Sequence, residues 1–371
     1  MVKVAWVVRP AEGGILVHLD HLLQGLSTDF NILIFGPEEI RDWVKDHPFY
    51  PINILDGLHG KEDIGAIWQL SRSLRKEKPK LIHMHGLKSV VVGVPAARLS
   101  GCKRLLFTAH NSLPKYGICW HQLSQQFVQQ RMLQTLPRII SVSDALRDEL
   151  VQFVPAHRVT TIRNGVICEK FSGYSRADAR ATANIPAPNI AMGVVARLIP
   201  EKGVTTLLEA VSLVRNVNKQ ITLVVVGDGP ARDQFEHYCK ALDLNPYVRF
   251  LGHRSDVPFL MAGWDLFVLP SLSEGLSVSV LEAMASRLPV IVSDLACMRE
   301  MVTHGKSGYL VKPKDAPGLA AAILHIIKDL PKARAMGEYN YQRVKNTFGT
   351  NKMVESTRHL YKDLTTREDL W

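Results

Sequence analysis

Short apolar runs alternate with amphipathic stretches along most of the chain. The runs are continuous, as in strands buried on both faces, and the stretches between them carry apolar residues at helical spacing. The predicted strands are 3–8, 31–35, 80–86, 104–108, 138–142 and 159–162 in the first half, and 190–195, 221–226, 248–251, 266–269 and 290–292 in the second. This alternation predicts an α/β fold with doubly wound parallel sheets.

The alternation is interrupted once. Residues 171–188 are polar and rich in Ala and Arg, and they are the candidate linker between two Rossmann-like halves. At 371 residues, with 46% apolar composition, the chain is long enough for two domains that each bury a core.

One stretch of the second half predicts an anion site. The strand 266–269 ends at Pro270, a Ser/Gly loop follows, and a helix begins near Leu276 or Ser277. The free amides of a helix N-terminus after such a turn attract phosphate. Glu274 lies on the loop, and Glu282 lies on the helix at the edge of its apolar face, about 40° from Val278. A carboxylate placed there needs a partner, either ribose or sugar hydroxyls or a nearby Arg or Lys.

Other loops offer further groups to an anion. Gly13 and Gly14 join a strand to a helix, which fits either an anion site or an ordinary tight turn. Arg197 and Lys202 flank another strand-to-helix turn, where two cations can close on a diphosphate. The segment that begins at Gly227 is only half of a dinucleotide fingerprint, which argues against an NAD site.

Three histidines lie at predicted strand ends. His83 and His85 point to the same face of one strand and can bind metal, but no third ligand is evident near them in sequence, so a strand-end histidine facing a cleft is the preferred interpretation. His110 follows the next strand, where open α/β sheets place their ligands; the alternative is a structural histidine.

The charge and composition of the chain limit the classes of partner that it is expected to bind. A net charge of +10 favours nucleic acid, an anionic membrane or a phosphorylated substrate. Some of the basic residues cluster into a candidate patch, but no aromatic residues are interleaved with them as a single-strand nucleic-acid site would need; the alternative is an ordinary solvated helix face. The patch contains Arg72, Arg75, Lys76, Lys78, Lys80, Lys103, Arg104 and Lys115. Asp-x-Asp does not occur in the sequence, so we expect no carboxylate-held metal on a diphosphate.

The compartment is expected to be the cytoplasm. The five cysteines have no metal-ligand spacing and suit a reducing environment. The sequence shows neither the pattern of a signal peptide nor an apolar run of the roughly 20 residues that span a bilayer.

Several motifs stand in one order along the chain and carry a resemblance. They are Gly13-Gly14, Thr108-Ala109-His110, Asn164-Gly165-Val166, Arg197 with Glu201-Lys202-Gly203, Val226-Gly227-Asp228-Gly229-Pro230, Phe250-Leu251-Gly252, and Glu274 with Glu282. In this order the chain resembles the family 4 retaining glycosyltransferases of the GT-B fold. The likeness covers nearly the whole chain and is stronger in the second half.

The resemblance implies a domain organisation and an activity. Two Rossmann-like domains face a central cleft: residues 1–170 bind the acceptor, residues 171–345 bind the nucleotide sugar, and a helix within 346–371 returns to the first domain. The implied activity moves a hexose-type sugar from a nucleotide diphosphate sugar, UDP-sugar being favoured over GDP-sugar, to a glycan, lipid-linked or small-molecule acceptor. It needs no metal or other cofactor, and it retains configuration by same-face attack.

The resemblance also implies the catalytic residues. Arg197 and Lys202 bind the donor diphosphate and stabilise its charge as it leaves. Glu274 contacts the hydroxyls of the donor sugar, and His110 lies beside that sugar at the reaction centre.

Further residues are implied to bind the donor. Amides at Gly13-Gly14 and at Leu276-Ser277 help to hold the diphosphate. Glu282 holds the ribose, while Gly227 and the backbone around Arg254 border the base.

Two other functions share this fold. A non-hydrolysing UDP-sugar 2-epimerase turns over its donor without an acceptor, and a non-catalytic protein only binds the nucleotide sugar. The basic patch favours a lipid-phosphate-linked acceptor and peripheral contact with an anionic membrane at its inner face.

Overall fold

A computed structural model describes residues 1–10, 13–44, 46–55, 60–112 and 120–366, with side chains in the helix that starts at Trp120 described from Phe127 onward. The chain divides into two compact units. The first comprises residues 1–164 and those from 351 onward, and the second comprises residues 165–350. The boundaries implied by the resemblance, after 170 and after 345, lie a few residues from these.

The first unit is built on a seven-stranded sheet whose paired strands are all parallel, in the order β3-β2-β1-β4-β5-β6-β7. Its strands are β1 (Val2–Val8), β2 (Phe30–Gly36), β3 (Phe49–Pro51), β4 (Leu81–His85), β5 (Leu105–Ala109), β6 (Arg138–Ser141) and β7 (Val159–Thr161). Its helices are α1 (Gly14–Leu26), α2 (Arg41–Val44), α3 (Lys61–Glu77), α4 (Leu87–Ser100), α5 (Trp120–Gln134), α6 (Asp144–Leu150) and, from the end of the chain, α15 (Thr350–Thr366).

The second unit is built on a six-stranded parallel sheet in the order β10-β9-β8-β11-β12-β13. Its strands are β8 (Ile190–Val195), β9 (Ile221–Val226), β10 (Val248–Phe250), β11 (Leu266–Leu269), β12 (Val290–Ser293) and β13 (Gly308–Val311). Its helices are α7 (Arg176–Thr182), α8 (Val204–Val217), α9 (Arg232–Ala241), α10 (Val257–Met261), α11 (Val278–Ala285), α12 (Ala296–Met301), α13 (Ala316–Lys328) and α14 (Leu330–Thr347). The predicted doubly wound α/β class is confirmed.

The strand order explains where ligands bind. In the first sheet the chain runs from β1 outward through β2 and then returns to place β4 on the other side of β1. In the second sheet β11 joins β8 in the same way. Loops on the two sides of such a reversal diverge, and the crevice between them at the carboxyl ends of the strands is the usual ligand site of open α/β sheets.

The predicted linker at 171–188 is wrong in part, because the segment contains α7 and is docked on the second unit. Ser175 caps the helix by accepting from the Asp178 amide, and the buried Arg180 guanidinium contacts Asp265 and donates to the Pro186 carbonyl at 2.9 Å. From sequence alone an arginine is expected at the surface. Here it is buried, because its N–H donors are paired with backbone carbonyls.

The last helix, α15, is part of the core of the first unit. Tyr361 is fully buried beside Phe30 and accepts a hydrogen bond from Trp6 Nε1 at 2.9 Å. Arg358 donates to Asp29 Oδ2 at 2.8 Å and to the Gly25 carbonyl at 2.6 Å. These contacts fix the helix to β1 and α1.

Within the described residues, none of the helices combines the length and the hydropathy that a bilayer-crossing segment needs. Four cysteines in this part of the chain are free thiols, namely Cys102, Cys168, Cys239 and Cys297; Cys119 lies outside the described residues.

Candidate active site

Two loops meet at the carboxyl ends of β8 and β11. Arg197 follows β8 by two residues and is exposed, while Lys202 ends a 3-10 helix at Pro200–Lys202. Within the described part of the chain Arg197 makes no ion pair, so its guanidinium is accessible to an anion. The structure therefore places both predicted diphosphate ligands on one loop at the point where the strand order reverses.

Gly203 lets this loop approach the next one. Its φ is +69°, and a Cβ built on it would lie 2.0 Å from the carbonyl oxygen of Pro270. Beside that contact the Leu272 amide donates to the Glu201 carbonyl at 2.7 Å. A side chain at position 203 would separate the two loops, so glycine is required there for their backbones to join.

The joined loops bring two predicted site residues into contact. Lys202 Nζ donates to Glu274 Oε1 at 2.7 Å, and Ser271 Oγ donates to the same oxygen at 2.7 Å. The Glu274 side chain is 5% exposed and that of Lys202 is 21% exposed. A nearly buried carboxylate is thus held by one charged and one neutral donor. The sequence assigned Glu274 and Lys202 to one site, but it did not predict the ion pair or the role of Ser271.

The helix that follows offers its N-terminus. Ser277 occupies the N-cap of α11, but its side chain makes no capping hydrogen bond and lies 3.2 Å from Ser279 Oγ. Leu276 and Ser277 are both buried at this end. The amides of the first turn and the positive end of the helix dipole are therefore the groups that α11 presents to an anion.

Glu282 lies one turn into α11. It is half-buried, and its carboxylate makes no hydrogen bond or ion pair with the described side chains, although the charge of Lys170 acts on it. Desolvation by burial raises the pKa of Glu282 to about 7, opposed by the charge of Lys170. Hydrogen bonds donated by the hydroxyls of a ligand would stabilise the ionised form of this carboxylate.

Gly227 and Arg254 follow β9 and β10, next to the loop that carries Arg197. Gly227 has a φ of +128°, and a Cβ on it would lie 1.9 Å from the Ala196 carbonyl oxygen. Its amide donates to the Gly252 carbonyl at 2.8 Å. Arg254 is occupied by a two-pronged ion pair with Asp256, at 2.8 and 2.6 Å. Backbone packing, rather than a free cation, therefore shapes this edge of the second unit.

In the first unit, Gly13 and Gly14 stand where the sequence placed them. Gly13 has a φ of +59° at the N-cap of α1, and nothing in the described structure lies within 4 Å of a Cβ built on it. Gly14 is the first residue of the helix. The turn leaves open space at the start of α1, as an approaching anion requires.

His110 follows β5 and belongs to a buried histidine cluster. His110 Nε2 lies 3.4 Å from His85 Nδ1, and its ring centroid lies 4.8 Å from that of His18. Burial, first of all, lowers the pKa of all three histidines, that of His18 to about 4. All three are consequently neutral at pH 7.

Sequence reasoning missed His18. It found His83 and His85 on one face of β4, and the structure confirms this, with ring centroids 3.9 Å apart. His18, which completes the cluster with His85 and His110, comes from α1, 67 positions before His85 in the chain. Spacing in sequence therefore gave no signal except a histidine on the buried face of an apolar helix.

Comparison with known proteins gives two family matches. Residues 12–170 match a family described as glycosyltransferase family 4, and residues 175–343 match one described as glycosyl transferases group 1. Among curated proteins, the chain is 25% identical over 356 residues to an Escherichia coli enzyme, covering 92% of this chain and 91% of that one. That enzyme is the UDP-Gal:α-D-GlcNAc-diphosphoundecaprenol α-1,3-galactosyltransferase. The chain is also 33% identical over 204 residues to the putative glycosyltransferase EpsF of Bacillus subtilis, covering 54% of this chain and 53% of that one.

Solved structures share the fold. Anabaena HepE in complex with UDP-glucose superposes with a TM-score of 0.87 at 20% identity, covering 98% of this chain and 100% of that one. The sucrose-phosphate synthase of Thermosynechococcus elongatus superposes with a TM-score of 0.83 at 22% identity, covering 98% of this chain and 99% of that one.

Proposed function

Because the chain belongs to the glycosyltransferases of group 1 and family 4, we propose that it moves a hexose-type sugar from a UDP-sugar to a hydroxyl of a lipid-linked or glycan acceptor, with retention of anomeric configuration. The observation that carries this proposal is the Lys202–Glu274 pair at 2.7 Å, which joins the loop that carries Arg197 to the loop that leads into α11. It combines cations for a diphosphate with a carboxylate for sugar hydroxyls.

The reaction proceeds by same-face attack. The bond between the anomeric carbon and the leaving diphosphate oxygen breaks while the acceptor oxygen bonds to the same face of that carbon. The leaving phosphate takes the proton of the acceptor hydroxyl, and Arg197, Lys202 and the dipole of α11 stabilise its charge. Because the protein supplies these positive groups itself, the diphosphate needs no metal ion. Gly13 and Gly14 are proposed as further amides that bind phosphate.

The two carboxylates have different partners. Glu274, oriented by Lys202 and Ser271, accepts hydrogen bonds from the sugar hydroxyls and does not act as a nucleophile. Glu282 accepts from the ribose hydroxyls, which favours its ionised form. His110 contacts the donor sugar, while Gly227 and the backbone at Arg254 border the base.

The base of the donor is uracil. The galactosyltransferase of E. coli has a UDP-sugar in its name, and HepE was crystallised with UDP-glucose. Neither Asp256 nor Arg254 is free to read a base by charge, since each occupies the other. Backbone groups around Gly227 therefore read the uracil.

The acceptor is a sugar on a lipid diphosphate, as in the E. coli enzyme. One face of α3 suits the surface of a membrane that carries such a lipid. Ile64 and Trp68 are 57% and 56% exposed, and Arg72 and Arg75 are exposed within the same arc of about 80°. Exposed apolar side chains beside cations are typical of helices that lie on anionic lipid.

The remainder of the predicted patch divides into three groups. Lys76 is exposed in the last turn of α3, and three further lysines are exposed outside that helix, namely Lys78, Lys80 and Lys103. Arg104 instead donates to the Thr365 carbonyl at 2.8 Å, which orients it toward α15. Lys115 lies outside the described residues. We propose peripheral contact with the inner face of an anionic membrane through the α3 face.

A ligand panel tests the donor assignment. UDP-glucose, UDP-galactose, UDP-N-acetylglucosamine, GDP-mannose and ADP-glucose are each mixed with the protein, and the melting temperature is measured. A UDP-sugar is expected to protect the wild type and the Lys219→Ala variant, whose exposed lysine precedes β9 at the opposite end of the sheet, but to protect Arg197→Ala much less. Protection by none of the five, or equal protection of Arg197→Ala, contradicts the proposal.

A further inference from the structure

Three histidines from separate elements of the first unit converge in its interior. His18 lies on α1, His85 ends β4 and His110 follows β5. They are 3%, 0% and 7% exposed, and each offers one ring nitrogen within 4.8 Å of those of the other two. A set of three imidazoles that share one point in space is the ligand set of many zinc sites.

The hydrogen bonding of the cluster is incomplete. Neither nitrogen of His18, nor Nε2 of His85, has a hydrogen-bond partner of normal geometry among the described residues. Asn164 interacts with His18 and opposes the fall in its pKa, but at a geometry short of a hydrogen bond. Buried polar nitrogens are nearly always paired, so three that are not point to a missing partner.

His83 lies next to the cluster, and both of its ring nitrogens are hydrogen-bonded. His83 Nδ1 lies 2.5 Å from the Tyr361 hydroxyl, and its Nε2 lies 2.7 Å from Thr108 Oγ1. Since Trp6 donates to the same Tyr361 oxygen, the hydroxyl proton of Tyr361 points to His83 Nδ1. His83 therefore has partners for both nitrogens and is not part of the converging set.

We propose that His18, His85 and His110 form a binding site for Zn²⁺. At a Zn–N distance of about 2.0–2.1 Å, tetrahedral ligands lie about 3.4 Å apart, so modest rotation of the three rings brings them into place. Imidazole is the commonest metal ligand in proteins, and all three rings are buried with one nitrogen of each turned toward the others. The set contains no thiolate or carboxylate, which leaves the bound ion its charge and an open fourth position.

Zinc bound at this site would also affect sugar transfer. Bound Zn²⁺ holds a nitrogen of His110 that the donor sugar otherwise contacts, so zinc inhibits the reaction. This consequence, unlike the metal site itself, rests on the role proposed for His110.

Zinc binding is measured first, by competition with a chromophoric chelator. Wild type is compared with His18→Gln and His85→Gln, and His21→Gln is the matched control, since His21 is buried on the same helix but outside the set. The expected result is one site in wild type and His21→Gln that is weakened at least about tenfold in the other two variants. Equal affinity in all four proteins, or no saturable site in wild type, overturns the proposal.

If circular dichroism shows that the variants do not fold, a second measurement on the wild-type protein tests the site. Co²⁺ is added to the wild-type protein, and its visible spectrum is recorded. Strong absorption of a tetrahedral nitrogen site supports the proposal, and the weak spectrum of six-coordinate Co²⁺ overturns it.

A transfer assay then distinguishes the metal site from the role proposed for His110. Zinc at saturating concentration is expected to lower the transfer rate at least about tenfold, with recovery after a chelator is added. Zinc that binds without inhibiting supports the metal site and contradicts the role of His110 in transfer.

Discussion

The ammonium group of Lys202 lies 2.7 Å from a carboxylate oxygen of Glu274, although the two residues are 72 positions apart in the chain. The contact exists because Gly203 brings its loop against the carbonyl of Pro270. A cation that already orients Glu274, the carboxylate proposed to bind the sugar, and that is still partly exposed would be preorganised for the charge of the proposed leaving diphosphate.

Removal of that cation should reduce turnover more than binding. We expect Lys202→Ala to lower kcat by roughly 100-fold or more, because the lost charge acts mainly on the leaving group. Steady-state kinetics with a UDP-sugar check this. Lys219→Ala should behave as wild type, and a Lys202→Ala enzyme at full rate would show that the cation plays no part.

Replacing Glu282 should abolish a pH dependence of donor binding. With a pKa of about 7, the carboxylate is largely protonated at pH 6 and largely ionised at pH 8, so UDP-glucose affinity should rise about tenfold over this range if the ionised form binds the ribose. Glu282→Gln should bind weakly and equally at both pH values. Titration calorimetry gives the affinities, and a wild-type affinity that falls with pH would exclude this role.

The same residue predicts a trend in stability. Because burial raises the folded-state pKa of Glu282 above its ordinary value of 4.5, its contribution is fully present below pH 4.5 and is lost as the pH rises through about 7. The melting temperature of Glu282→Gln relative to wild type should therefore increase from pH 5 to pH 8. A constant difference would mean that Glu282 titrates near its ordinary value.

Gly203→Ala tests the approach of the two loops. Gly305 is the matched control, since it has a similar φ of +77° but nothing within 4 Å of a built Cβ. Gly305→Ala should destabilise by about 1 kcal/mol from backbone strain alone. Gly203→Ala should destabilise by roughly 2 kcal/mol more, because its Cβ would clash with the Pro270 carbonyl, and should lose activity, as measured by urea denaturation and by transfer rate. Equal effects in the two variants would show that the loops tolerate separation.

Tyr361→Phe tests how α15 supports the first unit. The change leaves the buried Trp6 and His83 nitrogens without their partner, so we expect a loss of about 1–3 kcal/mol in the free energy of unfolding. UDP-sugar affinity should not change, because the Tyr361 hydroxyl bonds to Trp6 and His83, neither of which is a proposed ligand of the donor. Tyr339→Phe, whose side chain is 37% exposed, should leave stability unchanged.

Trp68→Glu tests the membrane surface. Sedimentation with vesicles that contain anionic lipid should fall strongly, because the change removes an apolar contact and adds a repelled charge. Val217→Glu is the control, being 73% exposed on the second unit. Equal sedimentation of the two variants would contradict contact through α3.

Sequence predicted the elements that local patterns define. Strands 190–195, 221–226 and 266–269 were confirmed to the residue, because a central parallel strand is a continuous apolar run with polar ends. The three-residue strand β3 and the helix α7 were missed, since the first is too short for a pattern and the second buries an arginine.

The site was only partly predictable for a related reason. Arg197, Lys202, Glu274 and Glu282 stand in recognisable motifs, and the structure gathers them on the second unit. The Ser271 hydrogen bond and the position of His18 depend on how separate elements pack, which no spacing along the chain encodes. Tertiary contacts of this kind appear only with the folded structure.

The linkage of the product reveals whether this protein transfers sugar with retention of configuration. The protein is incubated with a UDP-α-sugar and a short-chain prenyl-diphosphate-linked N-acetylglucosamine, and the new linkage is determined by NMR. We expect an α-linked product that forms without added metal and only when acceptor is present. A β-linked product, or an epimerised donor in the absence of acceptor, would contradict this expectation.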